Sequence, residues 1–554
     1  MVFLKSVFFY FLAIRINLLK IFKKFYFSTN RYKDSLITEK PQKINFFPNT
    51  FHFSCFTNYE NFSFKVEDVS TENFWDGTKN KKDENKLNEF LWLNLIDRKT
   101  DNAILRKILT TWIEKNQKIN TKAWKALVTS KRVLSWMFNA NLVINSTNKR
   151  FQNIFFESMV IQINHLKLNY KFEKSPEEKI AIISAIIISG LFFEEFFGNF
   201  NFGIKELEKI KNNFFDIDGF PLTRNPHDLL IFCKYFILIK ECTKDAQKYI
   251  PDFLDEIIEK NLSCLKKITT PDNKIPLFNG SIQSNLNDFY NYIEKLNIKP
   301  KLLKKNVGCL EILKNKKEFI LFDVGEPPNK SLSKSYQSGP LSFEYYNEKE
   351  KIVTNCGFGL NISPKAAFLS RLTSAQSTLC LNDTSIVKFE RNRILNSAFG
   401  NSINGTFKIF EKGHHENNEE ITSYASHNAY VQKFGYIHKR KICVKKNNSD
   451  VVGYDDLILK RNNSKVNYVI RFHLNPGIDA SLTIGGKSVL IKLKKNKSIL
   501  FLCDQGLISV EKSIYLGGSK ILNNLCISLS GSVNSENRTI NWRIKKKIDE
   551  VRES

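Results

Sequence analysis

The 554 residues contain no C-x-x-C pair, no glycine-rich phosphate loop and no zinc-finger spacing. The first absence matters because cysteines are present, at 55, 233, 242, 264, 309, 356, 380, 443, 503 and 526. They do not cluster, which argues against a disulfide scaffold and against a structural zinc. Cysteines inside apolar runs such as LIFCKYF (230–236) are expected to pack as small hydrophobes. Without a phosphate loop or any nucleic-acid module, nucleic acid is not the expected partner. The N-terminus lacks a spanning segment too. Its uninterrupted apolar run, residues 7–14, falls short of the roughly 20 residues that cross a bilayer. No small-residue cleavage site follows it.

What is present is charge of one sign. The formal net charge is +28. A basic surface attracts polyanions such as acidic glycans or an anionic membrane; lysine richness throughout the chain is the alternative origin of the excess. Hydrophobic content of 42%, with 47 phenylalanines, provides ample material for a large core, which argues against wholesale disorder. The length predicts two or three domains. Within residues 1–27, Leu4, Phe8, Phe11, Leu18, Phe22 and Phe25 recur at helical spacing, with Lys5, Arg15, Lys20, Lys23 and Lys24 between them. This predicts an amphipathic helix, docked on the body or lying on an anionic membrane surface. An uncleaved export signal is a further reading.

Two periods divide the rest. Runs such as NAILRKILTTWIEKNQ (102–117), SKRVLSWMFNANLVI (130–144) and PEEKIAIISAIIISGLFFEEFF (176–197) place apolar residues three and four apart. They predict about eight helices joined by short connections, an array of helical hairpins. Near residue 308 the period becomes that of short strands separated by Gly, Asn and Asp, as in VVGYDDLILKR (451–461) and VNYVIRFHLNP (466–476). Such strands predict an antiparallel sandwich. The expected domains are an N-terminal helix and linker over 1–84, a helical domain over 85–305 and a β-sandwich domain over 306–554.

Inside one helical run, IQINHLKLNYKF (161–172), Asn164 and His165 stand side by side among apolar neighbours. An amide and an imidazole there form either a satisfied core pair or a site facing a cleft. Other motifs stand in a definite order: AWKALVTSKRVLSWM (123–137), INHLKLN (163–169), DGFPLTRNPHDLL (218–230), LFDVG (321–325), GPLSFE (339–344), NCG (355–357), RLTSAQSTL (371–379), HNAY with GYIHKR (427–440) and RFHLNP (471–476). This order over residues 85–545 resembles the heparinase II/III-like proteins, whose relatives include alginate and other uronate polysaccharide lyases. The resemblance implies a multidomain α+β chain, an N-terminal all-α (α/α) toroid followed by an antiparallel β-sandwich. It also implies an acidic polysaccharide as partner and β-elimination next to a uronic acid. That reaction needs the carboxylate neutralised, a base for the C5 proton and an acid for the leaving oxygen.

On this resemblance Asn164 and His165 match the family's carboxylate-binding pair. Elsewhere the chain departs from the pattern. The family's catalytic Tyr follows an Arg-Ser-Pro segment; here the segment is Arg224-Asn225-Pro226 and the position is Asp228. Ser335 stands for its catalytic His. Its zinc ligands, two His and an Asp, are matched by Gln337, Asn355 and Gln376. Neutral amides are not zinc ligands, so the expectation is a metal-free site with no cofactor. Candidate catalytic residues are then Asn164, His165, His227 and Tyr336, with Tyr235 and His438 also in view. Candidate substrate-binding residues are Arg224, Arg371, His427 and Arg440. Two function classes follow: a divergent polysaccharide lyase, or a catalytically inactive glycan-binding or cell-envelope scaffold protein. Relatives of this kind imply a cell-envelope or periplasmic location, with a cytoplasmic or peripheral membrane one as the alternative.

Overall fold

Helices fill the first half of the chain: α1 (Val2–Tyr26), α2 (Asn30–Leu36), α3 (Glu84–Glu89), α4 (Asn102–Lys115), α5 (Ala126–Phe138), α6 (Lys149–Asn169), α7 (Pro176–Phe192), α8 (Phe197–Phe214), α9 (Pro226–Asp245), α10 (Asp252–Ile268) and α11 (Asn287–Lys295). The computed structural model describes residues 2–56, 75, 84–97, 99, 101–119, 121–144, 148–173, 175–462, 465–494 and 497–546, with side chains from residue 7 onward. Local chemistry sets the helix starts. Asp101 accepts the Ala103 N–H at the start of α4, and Asn148 accepts the Phe151 N–H at the start of α6. Pro176 occupies the first turn of α7, where its missing N–H costs no hydrogen bond. Every residue from 180 to 192 of α7 is buried. A helix that is apolar all round belongs at the centre, and α5, α6 and α8 pack against it. Among the described residues no helix is long and apolar enough to cross a membrane.

The chain forms two compact units. One runs up to Phe215 and takes in Leu230–Asn261; the other comprises Asp216–Leu229 and everything from Leu262 onward. The expected boundary at 305 therefore falls inside the second unit. The physical reason is hydrogen bonding from residues 277–283 into the strand-forming region. Leu277 N–H donates to Glu344 Oε1 at 3.2 Å, Gly280 N–H to Gln337 Oε1 at 2.9 Å, and Gln283 N–H to the Gly517 carbonyl at 2.8 Å.

The second unit holds two eight-stranded sheets. The first runs Leu310–Lys314, Glu318–Asp323, Phe343–Asn347, Glu350–Thr354, Val466–Leu474, Leu522–Val533, Leu507–Tyr515, with Leu379–Leu381 also pairing with Val466–Leu474. The second runs Asp479–Leu482, Ser488–Lys492, Ser498–Cys503, Arg538–Lys546, Val451–Leu459, Tyr436–Lys445, Glu420–His427, Ile409–Glu416. The pairings are antiparallel. Burial alternates along Val451–Leu459, as a strand with one face on a core requires. Both sheets contribute to a single apolar core: Phe343 and Phe472 of the first meet Phe501 and Trp542 of the second. The rings of Phe343 and Trp542 stack with centroids 5.5 Å apart.

Candidate functional site

In the helical unit, consecutive positions on α6 point about 100° apart, so Asn164 and His165 have different surroundings. His165 is buried. Its ring meets Trp124, Phe27 and Tyr32 edge to face, with centroids 5.5, 5.4 and 6.0 Å away. Nε2 lies 3.3 Å from the Trp124 carbonyl and Nδ1 lies 2.9 Å from the Tyr32 hydroxyl. A carbonyl can only accept, so Nε2 carries the proton and Nδ1 accepts from Tyr32. The Asn169 amide donates to the His165 carbonyl at 2.7 Å and lies 3.3 Å from Nδ1. Burial pushes the imidazole pKa down to about 4, and the Arg132 and Lys23 charges act in the same direction. The ring is therefore neutral at physiological pH, with its donor engaged. Asn164 is partly exposed, and its amide donates to the Leu36 carbonyl at 2.8 Å and to Thr38 Oγ1 at 3.1 Å. The donors expected to meet a substrate carboxylate are thus held by residues 36–38 and by Trp124. Arg132, in the same motif string, is a brace: its guanidinium binds Gln162 Oε1 at 2.7 Å and the Asn88 and Ala123 carbonyls at 3.0 and 2.7 Å. Tyr235, also in this unit, is buried.

In the second unit, Arg224 sits in the left-handed region at φ 60°. Its guanidinium ion-pairs with Asp323 and donates to the Glu326 carbonyl at 3.2 Å. It lies flat against Gly325, where a Cβ would stand 2.1 Å from Cζ. Burial opposes its charge, but the Asp323 carboxylate, together with Cys309 and Tyr336 nearby, raises the pKa overall. Asp323 also accepts from the Asn279 amide at 3.3 Å and the Gly325 N–H at 2.9 Å. Arg224 therefore fastens its own unit internally. Asp228, at the family's Tyr position, accepts from Thr223 Oγ1 at 2.6 Å and Asn225 Nδ2 at 3.2 Å. It organises the start of α9, where acidic groups are favoured. His227 beside it is partly exposed, with Nδ1 3.4 Å from Ser284 Oγ. Tyr336 is buried, and its hydroxyl has no hydrogen-bond partner among the described residues. Burial, reinforced by the Asp323 charge, pushes that hydroxyl pKa far up.

The three amides at the family's metal positions have their own partners. Gln337 accepts from Gly280 N–H at 2.9 Å and donates to the Gly357 and Ser370 carbonyls at 3.0 and 2.7 Å. Gln376 donates to the same Ser370 carbonyl at 2.8 Å. Asn355 donates to the Leu277 carbonyl at 3.2 Å and accepts from Ser377 N–H at 2.9 Å. They join loops through carbonyls rather than bonding one another. A set of neutral amides with their NH2 groups engaged in this way does not fit zinc. Among the described residues no group of three or more His, Cys, Asp or Glu is placed to hold a metal ion.

The remaining candidates lie inside the fold, which corrects their expected contact with sugar. Arg371 is buried, donates to the Tyr336 and Ser333 carbonyls at 2.8 Å each and to the Asn401 carbonyl, and lies 4.1 Å over the Phe389 ring. Burial lowers its pKa to about 9. Arg440, His438 and His427 have no exposed surface at all. Arg440 forks onto Asp455, Nε to Oδ1 at 2.8 Å and a terminal nitrogen to Oδ2 at 3.1 Å, and also donates to the Leu341 and Ser377 carbonyls. His438 Nε2 is 2.7 Å from Asp455 Oδ1, and its Nδ1 is 3.1 Å from His427 Nε2. Trp542 Nε1–H donates to Asp455 Oδ2 at 2.9 Å. Burial acts against the Asp455 carboxylate, yet the Arg440 guanidinium and His438 bring its pKa down to about 2. Burial lowers both histidines. Neutral tautomers satisfy the whole relay: His438 Nε2–H to Asp455, His427 Nε2–H to His438, and Ala429 N–H to His427 Nδ1 at 3.3 Å.

Sequence reasoning missed Tyr32, Asp323 and Asp455, the residues that hold these candidates. Asp455 carried a signal. It shares the inward parity of Val451, Gly453 and Leu457, and a carboxylate on a core-facing parity calls for a buried cation. Tyr32 carried none, because 133 residues separate it from His165.

A helical unit and a two-sheet unit in this order define a multidomain α+β protein. A family model described as "Heparinase II/III N-terminus" matches residues 92–301, and one described as "Heparinase II/III-like, C-terminal" matches residues 304–543. The chain belongs to the heparinase II/III-like family. Among solved structures it is similar to heparan sulfate lyase HepC from Pedobacter heparinus, with TM-score 0.62 and 13% identity, covering 93% of this chain and 87% of that one. It is also similar to heparinase III, with TM-score 0.65 and 15% identity, covering 83% and 75%. At such identities the likeness is one of fold. A curated relative, "FtsZ-localized protein C" of Caulobacter vibrioides, is 27% identical over 186 residues, 32% of this chain and 31% of that protein.

Proposed function

We propose that the chain acts on an acidic, uronate-containing polysaccharide as a divergent lyase of its family, with His227 as the proton-transferring group. The observation that supports this reading is exposure. His165, His427, His438 and Tyr336 are closed inside their units, whereas the His227 imidazole remains partly exposed beside Ser284. In the reaction the His227 imidazole takes the C5 proton, the electron pair left at C5 forms the C4–C5 double bond as the C4–oxygen bond breaks, and the leaving oxygen takes its proton back from the imidazolium so formed, leaving an unsaturated uronate.

A second reading, a glycan-binding or envelope scaffold protein without turnover, is favoured by the engaged donors of Asn164 and His165 and by the bonds that hold Asp228 to Thr223 and Asn225. The deciding experiment follows the absorbance of unsaturated uronate with purified full chain and a panel of acidic polysaccharides. The expected result is a rise that His227→Ala reduces about 100-fold or more and Ser284→Ala largely keeps. A flat trace with retained glycan binding supports the second reading. A rise unchanged in His227→Ala removes His227 from the reaction.

A further inference from the structure

Helix α1 carries an unusual surface. Of the 29 exposed large hydrophobic side chains among the described residues, 11 lie between residues 7 and 25. Phe11, Ile14, Leu18, Phe22 and Phe25 follow one another at spacings of three and four, which sets them in a stripe along one helix face. Phe11, Leu18, Phe22 and Phe25 are between 61% and 70% exposed. A contiguous apolar face of this length on a soluble chain marks an interaction site.

The charge pattern selects the occupant. Residues 2–33 contain no Asp or Glu, while α1 alone carries Lys5, Arg15, Lys20, Lys23 and Lys24. Two such helices meeting face to face would bring like charges together, whereas an anionic surface attracts all of them. No described helix is long and apolar enough to cross a membrane. The helix is rooted at its C-terminal end: Lys23 Nζ donates to Asn169 Oδ1 at 3.0 Å and lies 3.4 Å over the Phe172 ring. Ala13 is buried, so one face turns inward and the stripe turns outward.

We propose that α1 lies in the plane of an anionic lipid surface, its Phe11–Phe25 stripe entering the acyl boundary and the exposed Arg15, Lys20 and Lys24 side chains meeting the headgroups. This goes beyond the reaction assigned above and does not depend on it.

The test is co-sedimentation of the full chain with vesicles of phosphatidylglycerol and phosphatidylcholine, against vesicles of phosphatidylcholine alone. Binding to the anionic vesicles is expected, weakened by high salt. The triple change Phe11→Asp, Leu18→Asp and Phe22→Asp is expected to reduce it about 100-fold or more. These side chains are exposed, so the circular dichroism spectrum is expected to hold. As a milder second variant, Arg15→Gln with Lys24→Gln is expected to lower the preference for anionic over neutral vesicles. Three outcomes overturn the proposal: the full chain staying in the supernatant with anionic vesicles, the triple variant sedimenting as well as the parent, or a dimer in solution that the triple variant abolishes without vesicle binding.

Discussion

His165 in the helical unit and His438 in the sandwich are both fully enclosed histidines, and both are kept neutral at physiological pH by burial. Their surroundings differ. His165 is met by a phenol, a backbone carbonyl and an amide. His438 belongs to a network that contains a full ion pair, Arg440 with Asp455. Removing a partner from the first leaves a neutral group short of one hydrogen bond. Removing a partner from the second leaves a bare charge in a dry interior. Rearrangement around the pair is therefore expected to cost the helical unit less than it costs the sandwich.

The sharpest way to break the comparison is Asp455→Asn, which strands the Arg440 guanidinium. A loss of about 3–5 kcal/mol in unfolding free energy is expected, read by urea denaturation of the full chain. A loss of under about 1 kcal/mol would mean that carbonyls alone suffice for Arg440.

The pH dependence comes next in size. The unfolded chain takes up a proton on His165 near pH 6.5, and the folded chain resists until about 4. The stability this ring retains is complete above the unfolded value and is lost as pH falls from 6.5 towards 4. His427 and His438, also lowered, act with the same sign. Replacing His165 with Gln is expected to reduce the slope of stability against pH in that window, by up to about 1.4 kcal/mol per pH unit. Denaturant midpoints at several pH values measure it, and an unchanged slope would show that His165 protonates in the folded chain.

The smallest effect sharpens the neutral side. Tyr32→Phe removes the hydroxyl's bond to Nδ1 and the one it accepts from the Asn169 amide at 3.2 Å, while that amide stays beside Nδ1 and can turn to it, so about 0.5–1.5 kcal/mol is expected. A loss several times larger would show that residues 30–38 are held chiefly through this hydroxyl.

Much of the architecture was legible in the residues. The helical and strand periods divide the chain near 308, and the order of motifs over 85–545 points to the family that the comparisons establish. The site was less legible, for two physical reasons. His438 and Arg440 share the inward parity of Ile442 and Val444, yet charged residues on strands ordinarily face water, and the carboxylate that allows their burial lies 15 residues away from Arg440 on another strand. Asn164 and His165 are closed by a segment more than 120 residues upstream, a distance over which helical periodicity carries no information.

Gly325 beneath the Arg224 guanidinium has a consequence for how this chain can change. A side chain at 325 would need the Arg224 guanidinium to swing aside, since the added carbon would stand 2.1 Å from Cζ. A guanidinium that swings aside also leaves Asp323, so a change at 325 would be felt at the ion pair before it is felt at the backbone.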